Sequence, residues 1–289
     1  MKTKTVTRFA PSPTGPLHLG HAYAAIFAHD MASAAGGRFL LRIEDIDQSR
    51  ARPEWESLIE QDLRWLGLSW ETPVMRQSDR LPVYQDALQN LWQRGLIYPC
   101  HCTRRDILDA IAAPQEGSAP NLGPDGIVYP GTCRHDHHGT APRPNAALRL
   151  NMARALNCIR AGIAFTEDGT GPQGQNGLQT IDPKHLLANV GDIVLARRDM
   201  GTSYHLSVVL DDAAQGITHI TRGHDLFDAT QIHVLLQRLF DLPTPRYHHH
   251  RLIRDAQGKR LAKRDDARAI RSYRADGITP DHLRRMIGL

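Results

Sequence analysis

Two histidines three residues apart, in His18-Leu-Gly-His21, follow a stretch in which Pro11, Pro13, Gly15 and Pro16 forbid regular structure. The Ala-rich run from Leu19 to His29 carries Tyr23, Ile26 and Phe27 at helical spacing, so a helix is expected to begin near His18. Its first turn leaves backbone N–H groups unpaired, a seat for phosphate, with His18 and His21 on one face above it and Gly20 permitting close approach. Taken alone, the tetrapeptide also suits a capping histidine beside a core histidine. Near the other end, Gly258-Lys-Arg-Leu-Ala-Lys-Arg264 places Lys259 and Lys263 in one short loop of a chain whose only other lysines are Lys2, Lys4 and Lys184. Such a loop offers point charges to a phosphate or is a solvated charged turn. Cys100-His-Cys102 and Tyr129-Pro-Gly-Thr-Cys133 bring three thiols onto two loops, a beginning for a tetrahedral zinc site, with His101, His135 and His137 as ordinary candidates for a fourth ligand. Cys158 reads as a small buried hydrophobe. The runs His135-Asp-His-His138 and His248-His-His250 read as solvated loop and strand-end histidines.

The elements that must position these groups alternate. Val6 to Ala10 reads as a strand, the Ala-rich helix extends to about Ala35, Arg38 to Glu44 is a strand, and helices surround Trp55 to Leu66 and Tyr84 to Arg94. This βαβ order implies a parallel sheet whose ligands bind beyond the carboxyl ends of its strands, where His18 and Glu44 fall. From about Pro99 to Pro144, Pro, Gly, His and Cys crowd together and the pattern breaks, as an insertion would break it. Alternation resumes with a strand at Asp192–Arg197, then Tyr204 to Ala213, Ile217 to Thr221, and a helix from Asp228 to Phe240. His250 to Ile253 reads as strand-like, and Asp168 to Gly177 has the composition of a mobile loop.

The chain's 289 residues, 41% hydrophobic and 23% charged, can bury a large α/β domain with an inserted subdomain. No apolar run approaches membrane-spanning length and no signal-peptide core follows Met1, so the expected location is the cytoplasm. Four cysteines do not make a secreted disulfide framework at this length; in a reducing compartment, a metal explains the cluster better. The formal charge of +4 permits an anionic partner without requiring one. It is carried almost entirely by arginine, which suits phosphate and carboxylate forks, although an arginine-rich genome gives the same pattern.

Arg8-Phe-Ala-Pro-Ser-Pro-Thr-Gly together with the histidine pair resembles the first signature of the class I aminoacyl-tRNA synthetases, in their glutamyl branch. Arg42-Ile-Glu-Asp-Ile-Asp47, Gly191-Asp-Ile-Val-Leu, Ser203 to Asp212 and Gly216 to Leu226 resemble further blocks of that branch in order, and Gly258 to Arg264 is similar to the second signature. Arg260 and Ala262 stand where that signature has lysine and serine, which leaves their roles open while Lys263 is kept. The resemblance implies an α/β fold: a Rossmann-type catalytic domain in two halves (1–98 and 189–264), an inserted zinc-binding subdomain of the acceptor type (99–188), a short helical C-terminal segment (265–289) and no anticodon-binding domain. It implies ATP, with Mg²⁺, held by His18, Gly20, His21 and Lys263, with the two histidines and Lys263 also catalytic. It implies L-glutamate held by Arg8, Tyr204 and Arg222 at the side-chain carboxylate and by Glu44 at the ammonium, with Ser12 and the Ala10 backbone beside them. A guanidinium has nothing to accept from an amide, so this set should reject glutamine. Zinc would be held by Cys100, Cys102, Cys133 and, in the family's version, Tyr129. The expected reaction forms a glutamyl-adenylate. In a truncated paralogue of the branch, glutamate then passes to the queuosine base in the anticodon loop of tRNA(Asp), catalysed by a monomer. Two other readings compete: a small ATP-dependent ligase acting on another acceptor, which would not need Arg8, Glu44, Tyr204 and Arg222 together, and a catalytically inactive tRNA-binding paralogue, which the altered second signature would suit.

Overall fold

A computed structural model describes residues 4–112, 121–134, 143–254 and 268–289. The first half alternates as expected: β1 (Val6–Phe9), α1 (Leu19–Ala34), β2 (Arg38–Ile43), α2 (Pro53–Trp65), β3 (Glu71–Arg76) and α3 (Leu81–Gln93). Strands β1, β2 and β3 form a parallel sheet in that order. After β4 (Ile97–Cys100) and α4 (Arg104–Ala112) come a small hairpin of β5 (Leu122–Gly123) and β6 (Gly126–Ile127), then β7 (Ala147–Leu150) and α5 (Met152–Cys158). Next are β8 (Ile163–Glu167), β9 (Gly177–Ile181), α6 (Pro183–His185) and β10 (Val194–Ala196). The chain closes with α7 (Tyr204–Ala214), β11 (His219–Gly223), α8 (Thr230–Leu239), β12 (Arg246–His250), α9 (Ile270–Ala275) and α10 (Pro280–Ile287).

A second sheet runs β11-β12-β8-β9, parallel except for the last pair. Thr218 N–H donates to the Val6 carbonyl at 3.0 Å and Val6 N–H donates to the Thr218 hydroxyl at 2.8 Å, so β11 lies beside β1. The order is therefore β1-β2-β3 on one side of the β1/β11 boundary and β11-β12-β8-β9 on the other. That boundary is a topological switch point, where a doubly wound sheet opens a crevice at its carboxyl edge. Two hydrophobic clusters hold the arrangement. One gathers Leu17, Tyr23, Ile26, Leu41, Ile59 and Leu63 with Ile270, Leu283 and Ile287; the other joins Tyr84, Leu88, Leu150, Leu206, Val209, Leu235 and Tyr247.

Several details differ from the sequence reading. Residues Asp192–Arg197 do supply a strand, β10, but it pairs antiparallel with β7 in a separate sheet, β10-β7-β4. Within the stretch 99–188, β8 and β9 join the main sheet. The strand expected at His250–Ile253 instead ends at His250, because Arg246 to His250 pair with β11. His249 and His250 are buried there, 1% and 7% exposed, not solvated: His249 Nδ1 meets the Glu167 carboxylate, and His250 Nδ1 donates to the Arg251 carbonyl. Cys158 is exposed: α5 turns Met152 and Ala155 to the core instead. Asp168 to Gly177 is a hydrogen-bonded turn, with Gly171 N–H donating to the Gln175 carbonyl and the Asn176 amide to the Gly169 carbonyl. Among the described residues no helix is long and apolar enough to cross a membrane.

Candidate active site

A cleft of about 400 Å³ opens at the β1/β11 switch point, and Arg8, Ala10, His18, Gly20, His21, Glu44, Tyr204 and Arg222 all line it. Ser12 is exposed on the loop before α1 and is not among the lining residues. Lys263 and the loop around it, like His135, His137 and His138, lie outside the described residues. The flanks of that loop are at the cleft: Ile253 lines it, and Ala269 forms a bridge with His18 while Ile270 N–H donates to the Leu17 carbonyl at 2.8 Å.

His18 is the N-cap of α1, and its Nδ1 accepts from Gly20 N–H at 3.1 Å; His21 Nδ1 accepts from His18 N–H at 3.1 Å. The two rings stack with centroids 3.7 Å apart. A neutral imidazole that accepts at Nδ1 carries its proton on Nε2, the tautomer that donates to a phosphate oxygen. Gly20 has a second reason to be glycine, because a Cβ there would stand 3.0 Å from the His18 ring.

The charged residues meet in layers. Arg8 donates to both oxygens of Asp212, at 2.8 and 3.2 Å, and the fully buried Arg42 donates to Asp212 at 2.7 Å and to Glu44 at 3.2 Å. Burial would lift the Asp212 carboxyl, but Arg8 and Arg42 hold it below the ordinary carboxylate range. Burial raises the Glu44 carboxyl, with Arg42 and Arg8 opposing. Arg222, 6% exposed, is held by neutral groups: Nε donates to His249 at 3.2 Å, Nη1 to His233 at 3.0 Å, and Nη2 to the Thr230 hydroxyl. Among the described residues no carboxylate lies within ion-pair distance of it. Tyr204, 37% exposed, packs its ring against His205 and His233. Beneath α7, Asp211 accepts from Tyr84, Gln77 and Arg80. Arg42, Asp211, Asp212, His205, His233 and Glu167 have no role in the sequence analysis above, although the block Ser203–Asp212 contains three of them.

A separate cluster gathers Cys100, Cys102 and Cys133, whose sulfurs lie within 4.8 Å of one another. The buried Tyr129 hydroxyl is 3.5 Å from Cys100 Sγ and 3.4 Å from Cys102 Sγ. A tetrahedral zinc with ordinary bond lengths separates sulfur from oxygen ligands by about 3.5 Å, so these four groups fit one ion. Without a metal, burial pushes the Cys102 thiol up to about 11 and the Tyr129 hydroxyl up as well; an ion would reverse both. Arg149 lies over the Tyr129 ring at 3.9 Å and donates to Cys100 Sγ. Asp192 ties the cluster's base together by accepting from Tyr98, Arg134 and Met152 N–H. The preceding Gly191 has φ 66°, and a Cβ there would meet Val128 at 2.8 Å.

The family model for class I tRNA synthetases (E and Q), catalytic domain, matches residues 4–289. The chain is 65% identical to a glutamyl-Q tRNA(Asp) synthetase of Rhodobacter capsulatus, over 98% of this chain and all of that protein. It is 39% identical to one of Symbiobacterium thermophilum, over 98% of this chain and 86% of the relative. A crystal structure of a glutamate tRNA ligase from Elizabethkingia meningosepticum in complex with its amino acid superposes with a TM-score of 0.68 at 28% identity. That match takes in 91% of this chain and 53% of the ligase, so the chain spans about half the length of that solved relative.

Proposed function

The chain belongs to the class I tRNA synthetases for glutamate and glutamine, and on that premise we propose that it activates L-glutamate with ATP and transfers the glutamyl group to the queuosine base in the anticodon loop of tRNA(Asp). The names of the Rhodobacter and Symbiobacterium relatives support glutamate and tRNA(Asp) as substrates. The convergence of two kinds of group in one cleft carries the reading: a histidine pair in the phosphate-donating tautomer, and a buried arginine that meets no acid among the described residues.

In this reading the α-carboxylate of glutamate attacks the α-phosphorus of ATP and pyrophosphate leaves, so the protein chiefly positions reactants and offsets charge growing on phosphate oxygens. His18 and His21 donate Nε2–H to the triphosphate over the helix start, where Gly20 admits it. Lys263 adds a point charge to the same phosphates, which carry Mg²⁺. Arg222, Arg8 and Tyr204 take the side-chain carboxylate, Glu44 takes the ammonium, and Ala10 borders the substrate, while Ser12 stands outside the cleft lining. Zinc held by Cys100, Cys102, Tyr129 and Cys133 serves structure, tying two loops together. We take 1–98 and 189–264 as the catalytic halves, 99–188 as the inserted subdomain and 265–289 as a helical close, except that β8 and β9 belong to the catalytic sheet and β10 to the sheet of β7 and β4. The enzyme works as a monomer in the cytoplasm.

The test is to incubate the protein with labelled glutamate, ATP and tRNA(Asp) with or without queuosine. Label is expected only in the queuosine-bearing tRNA, and removing the anticodon loop, not the acceptor end, should remove it. Efficient charging of unmodified glutamate tRNA at its terminal adenosine refutes the acceptor assignment.

A further inference from the structure

The hydrogen bonds around Arg222 have forced directions. Arginine only donates, so Nη1–H donates to His233 Nδ1 at 3.0 Å. His233 then carries its proton on Nε2, which donates to His205 Nδ1 at 3.0 Å. By the same rule His205 Nε2–H donates to the Asp125 carboxylate at 3.1 Å. On the other side, Arg222 Nε–H donates to His249 Nε2 at 3.2 Å, and His249 Nδ1–H donates to Glu167 at 2.5 Å. Glu167 is fixed in turn by the N–H groups of Gly169 and His249, each at 2.9 Å. Burial, with the Arg222 charge beside it, holds His233 well below the ordinary histidine range, and burial lowers His249 against the pull of Glu167. Both rings are therefore the neutral acceptors that the geometry requires. Each chain runs from a donor-only cation to an acceptor-only anion, through two imidazoles to Asp125 and through one to Glu167.

We propose that Asp125 and Glu167 are remote counter-charges of Arg222, and that His205, His233 and His249 are spacers that keep both acids off the guanidinium so that a substrate carboxylate can take it. The inference rests on the reading of Arg222 as a ligand of the glutamate side chain. A buried guanidinium with no compensating charge is costly, whereas an acid in direct contact would hold its donors and repel an incoming carboxylate. Imidazole spacers avoid both penalties. Each accepts a hydrogen bond without adding net charge, and chained bonds polarise one another in a low-dielectric interior. The set therefore compensates the buried guanidinium while leaving its cleft-facing donors to a carboxylate, which an amide NH₂ cannot match. Asp125 is the accessible end of the device. It sits on the turn between β5 and β6, its side chain 37% exposed, and it lines a second cleft that Cys102 and Arg149 also border. It is a positioning residue that touches neither substrate.

Asp125→Asn isolates the charge, because asparagine serves the turn before Gly126 as well as aspartate does and still accepts from His205. Binding is measured calorimetrically on the full chain, for glutamate and ATP separately, beside thermal melting. The glutamate Kd is expected to fall on the order of three- to tenfold, because loss of a remote negative charge leaves Arg222 more positive toward the substrate carboxylate, with the ATP Kd unchanged. Asp125→Glu restores the acid and should return the glutamate Kd to within about twofold of wild type. A glutamate Kd for Asp125→Asn that is within about twofold of wild type or raised, or an Asp125→Glu variant that binds as Asp125→Asn does, overturns the relay while leaving the glutamate site intact. Wild-type protein that binds ATP but no glutamate overturns the reading of the cleft and this inference with it.

Discussion

The two cleft arginines are held in opposite ways. Arg8 is gripped by both oxygens of an acid it shares with Arg42, so its direction is fixed and its charge is largely spent within the protein. Arg222 is held by neutral partners among the described residues, which in the proposed reading leaves its charge to a ligand. Arg222→Lys should therefore weaken glutamate binding by more than about tenfold with ATP affinity little changed, since an ammonium cannot replace a planar fork held at three nitrogens. Calorimetric titration of both ligands checks this, and equal losses for the two would assign Arg222 a structural role. Lys263→Ala should lower adenylate formation by about a hundredfold or more, the usual cost of a lost preorganised charge. Activity within about twofold of wild type would place Lys263 on the surface. The residues that line the cleft were legible in the sequence because Arg8, His18, His21, Glu44, Tyr204 and Arg222 sit in blocks that resemble those of the class I synthetases, whereas each arginine alone would also suit a surface salt bridge. The layer behind it was not. Asp212 reaches Arg8 across 204 residues and Glu167 reaches His249 across 82, and nothing local to a carboxylate or an imidazole in sequence names so distant a partner.

Elements were legible where one periodicity dominated. Helix α1 is Ala-rich with an N-cap histidine, and α2 and α10 begin at prolines suited to a first helical position. Strand β12 was misplaced because its histidines look polar in sequence and are buried by pairing instead. Helix α2 carries a cost of its own. Asp62 is 1% exposed with one carboxylate oxygen unsatisfied, and burial raises it to about 6, with Arg271 and Arg274 opposing. A native carboxyl raised above its unfolded value holds a proton that the unfolded chain has released, so the folded state loses stability as pH rises from about 4 through 6. Asp62→Asn should raise Tm by a few degrees at pH 7.5 and leave it nearly unchanged at pH 4. Melting curves at the two pH values check the sign, and an equal shift at both would remove ionisation as the cause. For the loops after β4 and β6, Cys100→Ser, Cys102→Ser and Cys133→Ser should each lower zinc content below one ion per chain and destabilise that region. Elemental analysis of protein purified without chelator reads the content, and an absence of zinc in the wild type would reduce the cluster to packed thiols. Full zinc in Tyr129→Phe would move the fourth ligand to a histidine or water.

At the scale of the molecule, the switch point divides the cleft between two cores. The histidine pair stands on α1, packed in the cluster that includes Leu17, Ile26 and Ile59, whereas α7 and α8 frame the Arg222 side from the other cluster. The C-terminal helices belong wholly to the first. Ile270, Leu283 and Ile287 pack into it, Arg284 pairs with Asp30 of α1 at 2.7 Å, and Ala269 bridges His18 itself. The end of the chain thus braces the start of α1, a link that a short amphipathic segment does not announce in sequence because its target lies some 250 residues away. Leu283→Ala removes a fully buried side chain and should cost about 2–5 kcal/mol of stability. The loss should also be lopsided in function. The ATP Kd should rise while the glutamate Kd holds, because the cavity opens under the helix that aims His18 and His21, and Arg8 and Arg222 keep their partners in Asp212, His233 and His249. The two titrations at a temperature well below the variant's Tm separate the cases. If both affinities fall together, the cores are not independent supports and the cleft is held as one unit.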